Sequence, residues 1–520
     1  PAFGGAAAPK LSPDGRWVLY VHSDGGRDAL CVVPADGSQY PQKLLDDTDF
    51  VMHPAWSPDG THTACITWDH PHMPWDATTL HLLSLDTDNG LPRVTERRMI
   101  AGDRTKEAIF GAAFSPDGTR LAYASDRSGW WGLYTHHLAS GDEAHLTPGS
   151  AEYALPAWLQ EMRTFAWSPD GDALYALRTA DTHYTLVRVD VTTGGVETVT
   201  GLEAYTHLEQ LAVCATTGAV AVMAGATHLP DRLVSIQPGE AGAFVGRHSD
   251  LGTIPADYLA HGQVITWDSD GVEISGLYYP PTNPRYESGG VPPLVVHVHS
   301  GPTRQRFAKF FSEVHFFTTR GYAVLDPNYR GSTGYGRAFK DALYGAWGVA
   351  EVDDAVRGAQ ALVERGLADG DRLVVFGESS GGYSVLQSLI RYPGTYRAGI
   401  AQAPVSDHFA LAAHTHKFER YYNDMLLGPL PAAAELYREL SPALNAGAIQ
   451  DPLALFHGED DSVVPIGPSA TVAGALRRSG VPHVYRAYPG EGHSFRAPDT
   501  VRDYMTTTLA FLTAHVIYGS

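Results

Sequence analysis

The chain has 520 residues, of which 44% are apolar and 18% are charged, and its formal net charge is −21. That length exceeds what one hydrophobic core can fill, so we expect two or more domains in an ordinary globular protein. The negative charge argues against nucleic acid and against an anionic membrane surface as partners, because both repel it.

The cysteines and the start of the chain bear on its compartment. Cys31, Cys65 and Cys214 lie far apart in apolar, strand-like contexts, which predicts buried free thiols rather than a disulfide framework or a zinc site. No apolar run is long enough for a membrane-spanning helix, and the first ten residues do not form a secretory signal. If the chain is complete, we expect a cytoplasmic protein.

The first half contains a repeat. Ser-Pro-Asp-Gly occurs at 12–15, 57–60, 115–118 and 168–171, and a weaker copy follows at 215–218. Each Ser-Pro-Asp-Gly copy follows an apolar or aromatic residue and precedes a run of alternating apolar residues, as expected of a turn between two strands. A period near fifty residues with about four strands per repeat predicts a β-propeller of about five or more blades over residues 1–255.

Three stretches of this half are rich in aromatic and acidic residues: 68–76, 126–131 and 152–158. Loops of this kind on a rigid scaffold often face a ligand, but packing between blades explains them equally well.

From about residue 256 the pattern changes to strands that alternate with helices. Apolar strand-like runs begin at residues 264, 272, 294, 323, 373, 398 and 453, and helical segments are predicted at 305–319, 350–366, 383–392, 466–479 and 499–515. Alternation of this kind predicts an α/β fold with a mostly parallel, doubly wound sheet over residues 256–520. In such sheets the chemistry lies at the carboxyl ends of the strands.

The decisive stretch is Gly377-Glu-Ser379-Ser-Gly381, between an apolar strand and an amphipathic helix. Strand, Gly-x-Ser-x-Gly and helix together predict a nucleophile elbow that exposes the hydroxyl of Ser379. The helix N-terminus directs free amides at an oxyanion formed there.

A serine nucleophile needs a base and an orienting acid, which follow it in the order acid, then histidine, in this fold. Asp461 begins the turn after the strand at 453–457, and Glu459 and Asp460 are neighbours that could take its place. His493 lies on a glycine-rich loop further downstream. We expect the oxyanion amides to come from Ser380 and from Gly301 in His299-Ser-Gly-Pro302. No metal and no cofactor is implied.

The Ser-Pro-Asp-Gly propeller followed by this hydrolase resembles the prolyl oligopeptidase family of serine peptidases, in particular its acylaminoacyl-peptidase and aminopeptidase branch. The motifs that carry the resemblance are His299-Ser-Gly-Pro302, Asn328-Tyr-Arg-Gly-Ser-Thr-Gly-Tyr-Gly336, Gly377-Glu-Ser-Ser-Gly-Gly-Tyr383, His457-Gly-Glu-Asp-Asp461 and Gly490-Glu-Gly-His493-Ser-Phe. The resemblance implies a triad of Ser379, Asp461 and His493, and a propeller that admits only short peptides or amides.

Three positions depart from the family pattern. Ser300 replaces the first glycine of His-Gly-Gly-Pro, His299 stands where dipeptidyl peptidases carry a tyrosine hydroxyl, and Ser462 stands where prolyl endopeptidases carry an arginine. The last difference argues against the hypothesis of a strict post-proline endopeptidase.

An aminopeptidase must also hold a substrate ammonium, most simply with a carboxylate. The candidates are Glu419 and, in the propeller, Glu152, although a solvated acid is the ordinary role of such residues. Phe418 and Tyr421 are candidates for lining an apolar side-chain pocket.

The leading hypothesis is a serine exopeptidase that acts on short peptides or aminoacyl amides, with aminoacyl antibiotics such as puromycin among the candidate substrates. The alternatives are an acylaminoacyl-peptidase, an esterase or small-molecule amidase with the same triad, and an inactive propeller-based binding scaffold. The sequence leaves homo-oligomerisation open.

Overall fold

A computed structural model describes residues 4–88, 90–240, 242–249, 251–252, 254–286 and 289–519. The chain forms two compact units. The first consists of Pro1–Asp250 together with Gly334–Ala338, and the second of Leu251–Thr333 and Phe339–Ser520.

The described residues of the first unit form five four-stranded antiparallel sheets, each built from four consecutive strands. The strands are β1 Gly5–Leu11, β2 Trp17–Ser23, β3 Ala29–Pro34, β4 Gln42–Leu45, β5 Phe50–Trp56, β6 His62–Trp68, β7 Thr79–Asp86, β8 Arg93–Ala101, β9 Ile109–Phe114, β10 Arg120–Ser125, β11 Gly132–His137, β12 Glu143–His145, β13 Phe165–Trp167, β14 Ala173–Ala180, β15 His183–Asp190, β16 Val196–Thr198, β17 His207–Val213, β18 Val220–Ala226, β19 Leu229–Ile236 and β20 Phe244–His248. Four consecutive antiparallel strands form the blade of a propeller, so the predicted fold of this half is confirmed.

The Ser-Pro-Asp-Gly turn joins the first two strands of a blade through its serine. In the second blade, the Ser57 hydroxyl donates to Asp59 Oδ1 at 2.6 Å and accepts the amide of His62 at 2.9 Å. The other three copies repeat the bond from serine to aspartate. The preceding aromatic residue links blades, because the indole of Trp56 donates to the carbonyl of Lys10 at 3.1 Å.

The cysteine prediction is wrong at one position. Cys31 and Cys65 are buried in strands β3 and β6, but Cys214 is exposed. Strand β17 ends at Val213, so Cys214 is the first residue of the turn. Its amide donates to the carbonyl of Ala219, five residues further on, and the serine of each Ser-Pro-Asp-Gly copy makes the same bond.

The second unit is built on one eight-stranded sheet with the order β21-β22-β24-β23-β25-β26-β27-β28. Strands β21 and β22 and strands β22 and β24 pair antiparallel, and the remaining pairs are parallel. The predicted mostly parallel sheet is therefore confirmed. Its strands are β21 Gln263–Ser269, β22 Val272–Tyr279, β23 Leu294–Val298, β24 Ala323–Asn328, β25 Leu373–Glu378, β26 Ala398–Gln402, β27 Leu453–Gly458 and β28 His483–Tyr488.

Helices cover both faces of this sheet. They are α1 Ser312–Thr318, α2 Arg337–Asp341, α3 Ala350–Glu364, α4 Ser380–Arg391, α5 His408–His414, α6 Tyr422–Leu427, α7 Ala434–Leu440, α8 Pro442–Asn445, α9 Ile466–Ser479 and α10 Pro498–Leu512. A π-turn over Thr513–Ile517 extends the last helix, and short 3-10 turns occur at Ala256–Tyr258, Gly370–Arg372, Lys417–Glu419 and Ala446–Ala448. Alternate residues of the central strands enter two separate apolar clusters, one against α3, α4 and α9 and the other against α1 and α10.

The helix predicted at 305–319 is shorter than expected, since it begins only at Ser312. The short helices α5 to α8 were not predicted, because each is too brief to show a hydrophobic period. Among the described residues no helix is long and apolar enough to cross a membrane.

The second unit buries a carboxyl group beneath helix α4. Glu351 is completely buried, and its two oxygens accept the amide of Gly348 at 2.8 and 2.9 Å. The hydroxyl of Ser384 also donates to Glu351 Oε1 at 3.2 Å. Burial dominates over these bonds and raises the pKa of Glu351 to about 8.

Substituting Glu351→Gln should therefore change how stability depends on pH. Between the ordinary pKa of 4.5 and about 8, the unfolded chain releases a proton that the folded chain keeps, so the wild type loses stability as pH rises through this window. The slope is at most about 1.4 kcal/mol per pH unit, and the variant should lack it. Urea unfolding from pH 5 to pH 8 measures the difference, with the exposed Glu364→Gln on the same helix as the control. Parallel curves for Glu351→Gln and wild type would contradict a protonated Glu351.

Candidate active site

The Gly-x-Ser-x-Gly stretch forms a strained turn between β25 and α4. Ser379 has φ 57° and ψ −120°, a conformation that residues other than glycine rarely adopt. Its amide donates to the carbonyl of Gln402 at 2.9 Å, which ties the turn to the end of β26. This is the geometry of a nucleophile elbow, and Ser380 begins the helix that follows.

The glycines of the elbow are required by close approach of the backbone. A Cβ at position 377 would lie 2.4 Å from the backbone of Gly381, and one at position 381 would lie 2.2 Å from the carbonyl oxygen of Val298. Only glycine permits these contacts, so strand, turn and helix can pack closely enough to expose the serine.

Asp461 lies on the loop after β27, with its side chain fully buried. The amides of Val463 and Val464 donate to its Oδ1 at 2.8 and 2.9 Å. Its Oδ2 lies 2.7 Å from Nδ1 of His493. The neighbouring Glu459 and Asp460 are both exposed.

The His493 loop returns from the far side of the sheet to reach the elbow. Strands β25 and β28 are three positions apart in the sheet, which corresponds to about 14 Å. The loop nevertheless comes back, because the hydroxyl of Ser494 donates to Glu378 Oε1 at 2.9 Å. The residue after His493 and the residue before Ser379 are thus in direct contact.

Several carboxylates set the electrostatics of this region. Burial alone would raise the pKa of Asp461, but hydrogen bonds from two imidazoles and from the backbone hold it well below its ordinary value. Burial alone would lower the pKa of His493. The bond to Asp461 and the charges of Asp461, Glu378 and Glu419 outweigh burial, so the pKa of His493 lies above its ordinary value.

A small cavity in the second unit brings many of the predicted residues together. Its walls include Ser379, Ser380, Gly301 and Glu419. The apolar part of its wall consists of Trp347, Val405, Leu411, Tyr422, Leu426, Val463 and Val464. Tyr422 and Glu419 line it, whereas the predicted Phe418 and Tyr421 are not among its lining residues.

His299, two residues before the cavity-lining Gly301, is buried, and both of its ring nitrogens are bonded. Nδ1 lies 2.9 Å from the carbonyl of Ser300, and Nε2 lies 2.8 Å from the hydroxyl of Ser332. Because the carbonyl can only accept, Nδ1 carries the hydrogen and the Ser332 hydroxyl donates to Nε2. Burial lowers the pKa of His299 to about 3, so the ring is neutral.

Glu419 and Glu152 lie in different environments. The Glu419 side chain is 21% exposed, and its Oε1 lies 3.9 Å from Nε2 of His416. Burial raises the pKa of its carboxyl. Glu152 belongs to the first unit, where its oxygens accept the amides of Trp131 at 2.8 Å and of Gly336 at 2.9 Å.

The chain is similar to a known protein family and to solved structures. The model of the prolyl oligopeptidase family matches residues 308–517. A crystal structure of puromycin hydrolase is 33% identical, with a TM-score of 0.91 over 99% of this chain and 79% of that one. The chain belongs to the prolyl oligopeptidase family.

Two further proteins are also similar to this chain. A puromycin-hydrolysing peptidase of Mycobacterium tuberculosis is 32% identical, with a TM-score of 0.91 over 99% of this chain and 80% of that one. The dipeptidyl aminopeptidase BIII of Pseudoxanthomonas mexicana is 29% identical over 225 residues, which are 42% of this chain. The matched region covers only 33% of that relative's length.

Sequence reasoning within the prolyl oligopeptidase family pattern missed several residues that hold the site. Glu378 and Gln402 hold the elbow through bonds to residues far along the chain, and His457 contacts the acid four residues further on. Glu491 was also missed, although its carboxylate accepts the amides of Arg496 and Ala497 and so fixes the His493 loop. The position of His457 in the His-Gly-x-x-Asp motif was a signal that could have drawn attention to it.

The charge of Glu378 should be measurable in the pH profile. Glu378→Gln keeps an acceptor for the Ser494 hydroxyl but removes one of the charges that raise the pKa of His493. The acid limb of kcat/KM should therefore move to lower pH by about half a unit. The exposed Glu459→Gln removes an equal charge nearby and should leave the limb in place. An unchanged limb in Glu378→Gln would contradict the electrostatic role of Glu378.

Proposed function

We propose that this chain is a serine exopeptidase of the aminopeptidase type, which releases N-terminal residues from short peptides or aminoacyl amides through an acyl-enzyme. The observation that carries the proposal is the 2.7 Å bond between Asp461 and His493, on a loop whose next residue contacts the residue before Ser379. Two similar proteins hydrolyse puromycin, which supports aminoacyl amides as substrates.

In the proposed mechanism, the hydroxyl of Ser379 attacks the substrate carbonyl while Nε2 of His493 takes its proton. His493 then gives that proton to the leaving amine, and water hydrolyses the resulting ester by the same route in reverse. Asp461 accepts the hydrogen of His493 Nδ1, which fixes the tautomer and stabilises the imidazolium. We assign the oxyanion amides to Gly301 and Ser380, which line the same cavity as Ser379.

The cavity favours a substrate residue with an apolar side chain and a free amine. Its wall offers apolar side chains, and Glu419 is its acidic lining residue. We place the substrate ammonium on Glu419 rather than on Glu152, because Glu419 lines the same cavity as Ser379, whereas Glu152 is buried and bonded to two backbone amides. Phe418 and Tyr421, which we expected to line an apolar side-chain pocket, do not line this cavity, and we propose them instead as outer contacts of the substrate.

The division of labour between the halves of the chain is part of this proposal. Residues 256–520 form the catalytic domain, and residues 1–255 form a propeller that limits substrates to short peptides. The family resemblance supports this role of the propeller, and cleavage rates of peptides of increasing length would test it.

The nucleophile can be tested directly. Ser379→Ala should remove labelling by a fluorophosphonate and lower kcat for an aminoacyl arylamide by about 10⁴-fold or more, because the alcohol that forms the acyl-enzyme is gone. Labelling of wild type also excludes an inactive scaffold. Turnover of simple acyl esters without turnover of arylamides would favour the esterase alternative, and labelling that persists in Ser379→Ala would overturn the assignment.

The amine site can be tested with a substrate pair. Glu419→Gln should lower kcat/KM for a free aminoacyl arylamide by about 10-fold to 100-fold, because a hydrogen bond between charged groups is lost. The N-acetylated form of the same arylamide should lose far less. The ratio of the two rates cancels any effect of Glu419 on His493.

Two matched variants control this comparison. Glu435→Gln changes a carboxylate that is 91% exposed on helix α7, and Glu152→Gln changes the other candidate. Neither should alter the preference for the free amine over the acetylated substrate. A wild type that prefers the acetylated substrate would favour the acylaminoacyl-peptidase alternative, and a preference lost only in Glu152→Gln would move the ammonium to that residue.

A further inference from the structure

A second imidazole contacts the acid of the proposed triad. His457 is the fifth residue of strand β27 and is completely buried. Its Nε2 lies 3.1 Å from Oδ2 of Asp461 and 3.1 Å from the carbonyl oxygen of Val464. Its Nδ1 lies 2.9 Å from the hydroxyl of Ser469, which is buried in the first turn of helix α9.

These contacts fix where the hydrogen of the ring lies. Both neighbours of Nε2, a carboxylate and a carbonyl, can only accept, so Nε2 carries the hydrogen. With the hydrogen on Nε2, the Ser469 hydroxyl can donate to Nδ1, so the ring has a partner at each nitrogen. Ser469 therefore selects the tautomer of His457 that can donate to Asp461.

Four hydrogens converge on the carboxylate of Asp461: those of His457 Nε2, His493 Nδ1 and the amides of Val463 and Val464. The two imidazoles share the same oxygen, Oδ2. The His457 donor draws electron density from Oδ2 of Asp461. This oxygen is therefore a weaker acceptor for the hydrogen of His493.

We propose that His457 is a positioning residue of catalysis: its Nε2–H holds the Asp461 carboxylate towards His493 and weakens that carboxylate as an acceptor, with Ser469 setting the orientation of the ring. The inference rests on the proposed function, since it assigns His457 a task in the triad. Asp461, Glu378 and Glu419 are the charged groups that act most strongly on His493, and a substitution of His457 removes none of them.

The test compares two substitutions of His457. Phe keeps the volume of the ring but removes the donor, whereas the amide of Gln can place a donor near the position of Nε2. The readout is the rate at which a fluorophosphonate labels Ser379, measured from pH 5 to pH 9. This rate depends on His493 whatever the natural substrate is, so a wild type that is not labelled signals failure of the proposed function instead.

We expect His457→Phe to slow labelling by about 10-fold to 100-fold, because the Asp461–His493 pair keeps its own bond but loses a donor that fixes its direction towards Ser379. Its acid limb should move to higher pH by about half a unit to one unit, because Asp461 then holds the proton on His493 more strongly. His457→Gln should restore most of the rate and the wild-type limb. Ser469→Ala should shift the limb in the same direction as His457→Phe but by less, since it removes only the group that orients the ring.

Val472→Ala separates this role from ordinary packing. Val472 lies on helix α9 in the apolar cluster that also contains Leu453 and Leu455 of β27, so its truncation loosens the same region without touching Asp461. It should lower the melting temperature and leave the limb unchanged. An acid limb that stays in place or moves to lower pH in soluble, folded His457→Phe would overturn the proposal, as would a His457→Gln variant as slow as His457→Phe. If His457→Phe does not fold, an unshifted limb in Ser469→Ala overturns it.

Discussion

The active-site region depends on keeping one carboxylate ionised inside the protein. Asp461 has no exposed side-chain surface, and a buried charge of this kind is costly unless hydrogen bonds replace the water it loses. Two backbone amides and two imidazoles provide that replacement. Because these donors come from β27, the loop after it and the loop after β28, the bonds that stabilise the charge also hold the His493 loop in place.

Close backbone approach brings the loops together. A Cβ at Gly458 would lie 2.2 Å from the carbonyl oxygen of Gly492. The end of β27 and the His493 loop can therefore approach this closely only because position 458 is glycine. The same requirement at Gly377 and Gly381 shapes the elbow. A parallel sheet fixes the spacing of its strands, and the glycine contacts allow residues from strands three positions apart to meet above its edge.

The negative charge of the site distinguishes it from a neutral hydrolase pocket. Asp461, Glu378 and Glu419 all act on His493 and favour its protonated form. That arrangement leaves less of His493 in the neutral form that can accept a proton at low pH, but it also creates a negative potential that would attract a cationic group. A free α-amine is a group that such a potential would attract, which is why we proposed substrates of that kind.

The amino-acid sequence determined the local patterns. The Ser-Pro-Asp-Gly turns predicted the blades, because each turn is set by its own four residues, and Gly377 to Gly381 predicted the elbow for the same reason.

Tertiary structure alone decided which groups meet. The contact between Ser494 and Glu378 spans 116 positions, and the bond from His457 to Asp461 depends on the path of a loop rather than on a period in the chain. The roles of Glu152 and Cys214 were also decided by their surroundings, since neither a buried carboxylate that accepts two amides nor an exposed thiol at a turn has a signature in local sequence. Hydrogen bonds between separate segments form only once packing has fixed both partners. A local sequence pattern does not show how close those partners lie in the folded chain.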